Sequence, residues 1–131
     1  MAITPIPDNN HSISLADAID ITTRYREYRE KILTDEFKGR DLLTLSETFN
    51  KNAFISFFTN IQVKGLRIYY GMREDLQVHA IVVGVDENGK DMLPAQSLAI
   101  AGDVTGDNEI LEDAQRCPPT CMDVDSPLSN P

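Results

Sequence analysis

Cys117 and Cys121 are the only thiols in the chain, spaced C-x3-C with Pro118 and Pro119 between them. That spacing differs from the C-x2-C of helical redox motifs, and the prolines disfavour the helix N-terminus that would lower a thiol pKa. Three roles stay open for the pair: a local disulfide, half of a zinc site, or plain tail residues. A closed structural zinc site takes four ligands, and the chain offers these two thiolates with His11 and His79, so a four-thiolate site would have to be shared between two copies. Asp103-Val-Thr-Gly-Asp-Asn-Glu109 follows the opening of a calcium loop, with Asp103, Thr105 and Asp107 as side-chain ligands and Glu109 giving its carbonyl. Leu111 and Ala114 then stand where the later ligands belong, so a solvated acidic turn is the expectation.

Gly84-Val-Asp-Glu-Asn-Gly-Lys90 fits the spacing of a phosphate-binding loop, but Asp91 follows where a hydroxyl is needed for magnesium. Asp86, Glu87 and Asp91 would also repel phosphate, so the segment reads as a hairpin turn. His79 lies between Val78 and Ala80 in an apolar run, the setting of a packed histidine. With no recognisable nucleophile–base pair, the chain is expected not to be an enzyme and to need no resident cofactor, zinc or calcium being the minor alternatives. Arg67 and Tyr69 alternate along a strand pattern and are the side chains favoured at binding hot spots, or else Arg67 pairs with a carboxylate across the sheet.

The chain has 131 residues with 12 Lys and Arg against 21 Asp and Glu, a formal charge of −9. This balance argues against nucleic acid and anionic lipid as partners, since both are read through Lys and Arg. The one basic cluster, Arg24, Arg26, Arg29 and Lys31, is broken by Glu27 and Glu30. No apolar run is long enough for a membrane span, and the N-terminus lacks the basic and apolar regions of a signal peptide. A cytoplasmic protein is the expectation. Residues 101–131 hold seven acidic side chains against one basic one, with four of the seven prolines. Residues 116–131 therefore read as an extended acidic tail, too poor in apolar side chains to offset the entropy of ordering.

The elements that would position these groups begin with a helix. Ser14 and Asp17 offer an N-terminal cap, and Ala18, Ile21, Tyr25, Tyr28 and Ile32 share one face, which predicts a helix from about Leu15 to Thr34. A second helix is predicted after Asn50, capped by it and stapled by Phe49 and Phe54, with Phe54, Phe57, Phe58 and Ile61 on its buried face. Leu66–Met72 alternates, placing Leu66, Ile68 and Tyr70 on the drier side and Arg67 and Tyr69 on the wetter one. Val78–Val85 reads as a central strand, Asn88-Gly89 as the following hairpin tip, and Asp91–Leu93 and Leu98–Ile100 as further strands.

Gly65-Leu-Arg-Ile-Tyr-Tyr-Gly71, Val83-Gly-Val-Asp-Glu-Asn-Gly-Lys-Asp-Met-Leu93 and Cys117-Pro-Pro-Thr-Cys121 together resemble a group of small bacterial proteins. Their pattern is Gly-Ile/Leu-Arg-Ile-Tyr-Tyr-Gly, Gly-Val-Asp-x-Asn-Gly-x-Asp and Cys-Pro-Pro-x-Cys, and the similarity spans about residues 48–121. The resemblance carries no assigned activity. It implies only that Arg67, Tyr69, Tyr70, Asp86, Asn88, Gly89, Asp91, Cys117 and Cys121 belong to the shared pattern.

The expected architecture is α+β: an arm over residues 1–13, one domain over 14–115 with two N-terminal helices packed on a small antiparallel sheet, and the tail. Its expected core includes Tyr25, Tyr28, Phe54, Phe58, Ile68 and Val82. The expected function is a non-enzymatic interaction module that binds another protein, or a second copy of itself, through the sheet face around Arg67 and Tyr69 or through the tail. The alternative is a metal- or thiol-linked protein using Cys117 and Cys121.

Overall fold

The computed structural model describes residues 6–94 and 108–129. The chain is of mixed α+β type, with helices α1 (Leu15–Tyr28) and α2 (Ile55–Thr59) and strands β1 (Ser46–Thr48), β2 (Gly65–Met72), β3 (Val78–Val85), β4 (Asp91–Met92), β5 (Ile110–Leu111) and β6 (Gln115–Cys117). No described helix is long and apolar enough to cross a membrane. The residues group into two compact units. The first draws on the described residues of Met1–Asp8, Phe49–Tyr70 and Ala80–Asp113, the second on those of Asn9–Thr48, Gly71–His79 and Ala114–Pro131.

In the first unit, Asn50 caps a 3-10 turn (Lys51–Phe54) through its side chain, which accepts from the Asn52 amide, and α2 continues from it. The Phe49 and Phe54 rings meet edge to face at 5.5 Å, the staple expected of those positions. The tighter 3-10 winding advances the phase of α2. Phe57, at 4% exposure, is therefore the buried ring, and the expected core residue Phe58 is 73% exposed. β3 is the spine of the sheet: it hydrogen-bonds to β2 along one edge and, antiparallel, to β4 and β5 along the other. Val82, Val83 and Val85 are buried, Val82 as expected. At the hairpin after β3, Gly89 takes a positive φ of 77° and Asn88 does not, so the glycine alone meets the left-handed requirement of the turn.

Gly84 is held against α2. A Cβ built on it would lie 3.2 Å from Val63 Cγ2, closer than packed side chains ordinarily tolerate, and 3.4 Å from Phe57 Cδ1, at van der Waals contact. Gly84→Ala should therefore destabilise by about 1–3 kcal/mol through overpacking. A urea melt with an unchanged midpoint would contradict that contact. Ile6, from the expected N-terminal arm, lies over Gly65, where a Cβ would meet its Cδ1 at 2.9 Å.

In the second unit, the Ser14 hydroxyl accepts from the Asp17 amide at 3.0 Å, the cap that the sequence predicts. α1 ends at Tyr28, short of Thr34, and Glu30 Oε1 accepts from the amide of Gly39, whose φ is 75°. The apolar stripe of α1 is not core. Tyr25 and Tyr28 are 39% and 48% exposed. The helix is fixed instead by polar reach: Tyr25 Oη donates to the Thr44 carbonyl at 2.7 Å, and Arg29 donates to that of Leu43. Partial burial raises the Tyr25 pKa above its ordinary value, against the opposing charges of Arg29 and Arg116.

The chain past residue 115 departs from the extended tail expected of its composition. Gln115–Cys117 forms β6, antiparallel to β1, and both Arg116 and Cys117 are buried. Ladder hydrogen bonds and the long apolar stem of Arg116 supply what the poor apolar composition does not.

Candidate binding surface

β2 presents two unlike faces, one polar and one apolar, and neither is buried. Arg67 and Tyr69 turn toward β4, where Arg67 Nη1 donates to Asp91 Oδ1 at 2.6 Å and Tyr69 Oη donates to Asp91 Oδ2. One carboxylate thus holds both side chains. The bond to Asp91 raises the pKa of Arg67 and, as the largest cause, also that of Tyr69. The cross-strand pairing weighed for Arg67 is what forms, and it leaves Arg67 half-buried and Tyr69 44% exposed. The opposite face carries Leu66, Ile68 and Tyr70 at 38%, 54% and 80% exposure. Ile68, expected in the core, is therefore more than half exposed on that face.

The remaining candidate residues fall elsewhere. Cys117 and Cys121 are joined by a disulfide, so in this state they present no thiolates to zinc. The peptide bonds before Pro118 and Pro119 are both cis. Asp103, Thr105 and Asp107, with the expected strand at Leu98–Ile100, lie outside the described residues. Glu109 Oε2 accepts from Ser56 Oγ at 3.0 Å. Among the described residues, no group of three His, Cys, Asp or Glu is placed to hold a metal ion. In the 86–90 hairpin, Asp86 Oδ1 accepts from the amides of Asn88 and Lys90 at 2.9 and 3.0 Å. The donors a phosphate would need are taken by that carboxylate.

Sequence reasoning missed one cluster inside the second unit. The β1–β6 register sets Glu47 opposite Arg116, and Glu47 Oε1 lies 3.6 Å from His79 Nδ1 and 4.0 Å from Arg116 Nε. Arg116 Nη2 reaches the carbonyls of Asp41, Leu42 and Val78 at 3.1–3.3 Å. His79 and Arg116 are buried, so Glu47 and Arg116 face each other inside the unit. The clue available in the sequence was His79 inside an apolar run, but the distance of Glu47 and Arg116 along the chain hid the association.

Comparison with family models, with curated proteins and with solved structures returns no match.

Proposed function

We propose that the chain is a non-enzymatic protein-interaction module whose contact surface is the exposed face of β2. The observation that carries this reading is Leu66, Ile68 and Tyr70, three large apolar side chains in one row, each more than a third exposed. Water-facing apolar rows of this kind mark interaction sites more often than ordinary surface. Arg67 and Tyr69 contribute from behind. Tied to Asp91, they stiffen the strand before it meets a partner, which lowers the ordering cost of association. Arg67, Tyr69 and Asp91 also all belong to the pattern shared with the resembling bacterial proteins.

The occupant favoured is a second protein with a basic rim. The chain carries −9, so a second copy would bring like charge to the same surface, and a basic partner would gain from it. The test is differential capture with the full chain and the Ile68→Asp/Tyr70→Asp double variant. Both side chains are exposed, so the loss of strand propensity costs about 1 kcal/mol each and the variant remains folded. Expected is a bound protein that the variant loses and that added salt weakens. Identical capture by both chains overturns the reading. Self-association in sedimentation, abolished by the same substitutions, replaces the basic partner with a second copy.

A further inference from the structure

Independently of what β2 binds, the disulfide in the second unit is asymmetric. Cys117 is 4% exposed and anchored, its carbonyl accepting from the Leu45 amide and from Thr44 Oγ1, each at 2.7 Å. Cys121 is exposed, in the loop that follows β6. Both cysteines line a groove of about 360 Å³, together with Leu45, Ser46, Thr120, Met122 and Ser126. That volume suits a small ligand, and the lining offers hydroxyls for a polar end and apolar surface for a stem. We propose that this disulfide is a site of thiol–disulfide exchange, attacked at Cys121 by a low-molecular-weight thiol seated in the groove.

Exchange needs the attacking sulfur to approach from the side away from the leaving sulfur. Cys121 is exposed and Cys117 is buried, so Cys121 is the sulfur more accessible to a thiol from outside. The incoming thiolate bonds to Cys121 Sγ, the S–S bond breaks, and its electron pair leaves on Cys117 Sγ, which takes a proton from water. A second thiol then attacks the small-molecule sulfur of the mixed disulfide and expels the Cys121 thiolate. Two thiols are oxidised to one small disulfide, and the protein disulfide is reduced to two thiols. The bond spans a sequence separation of four, so it constrains little of the unfolded chain. β6 stays held by its ladder to β1 after reduction.

The test uses the oxidised full chain with 2-mercaptoethanol under native conditions, followed by acid quench, digestion and mass spectrometry. The expected adduct lies on Cys121, in excess over Cys117 by about tenfold or more, with the far-ultraviolet circular dichroism unchanged. Equal adducts on the two cysteines, or reduction only at urea concentrations that unfold the chain, overturn the proposal. Ser46→Phe fills the groove from an exposed strand position that tolerates an aromatic residue. It should slow native adduct formation by about tenfold and leave the rate in urea unchanged. Thr120→Phe repeats the test from the loop after β6. Native rates unchanged in both variants overturn the groove as the seat of the thiol, and the adduct position in the unaltered chain decides the attacked sulfur without any variant.

Discussion

Replacing Phe57 by alanine should destabilise the chain by about 3–5 kcal/mol, and replacing Phe58 should change it by no more than about 0.5 kcal/mol. The two rings are adjacent in sequence and alike in chemistry, so their difference isolates position. Phe57 is 4% exposed and packs beside Gly84 of the central strand. Its loss leaves a void under the central strand that neighbouring valines, fixed by the sheet ladder, cannot fill. Phe58 is 73% exposed, and its ring meets Phe54 at 6.4 Å without enclosure. Urea melts of the two variants provide the check. Equal shifts, or the larger shift for Phe58, would contradict the phase of α2.

Arg116→Ala should cost about 3–5 kcal/mol, the range for breaking a buried ionic arrangement from one side. The change removes a donor to three backbone carbonyls, those of Asp41, Leu42 and Val78, and takes a cation from beside Glu47. It also leaves a cavity along the vacated stem. Arg24→Ala is the matched control. Its bond to Asp20 lies in solvent, with both side chains more than half exposed, and such pairs contribute about 1 kcal/mol or less. Denaturant midpoints for the two variants should separate clearly. A small effect for Arg116 would show that residues 116–131 are the dispensable tail that composition suggests.

The strands were the most readable part of the sequence. Alternation over Leu66–Met72, the apolar run Val78–Val85 and the Asn-Gly turn each express a local rule, and β2, β3 and the 86–90 hairpin obey them. The Ser14 and Asn50 caps were readable for the same reason, since each acts within three residues. The hidden features depended on partners distant in sequence. Alternation shows that Leu66, Ile68 and Tyr70 share a face of β2, but the carboxylate that holds Arg67 and Tyr69 on the other face comes from Asp91, far along the chain. The stripe of α1 promised a buried face, yet Tyr25 and Arg29 anchor the helix through carbonyls at Thr44 and Leu43. Composition placed Arg116 in the tail, since composition is blind to a short β1 strand that meets it from far upstream in the chain.

Hydrogen exchange on the full chain, alone and with the protein captured through β2, tests that surface most directly. Partner-induced protection of the amides of residues 66–70, absent in the Ile68→Asp/Tyr70→Asp variant, is the expected result, because a protein docked on that face shields the strand that carries it. Protection confined to residues 121–129, with 66–70 unchanged, would contradict the account and place the interaction at the end of the chain instead.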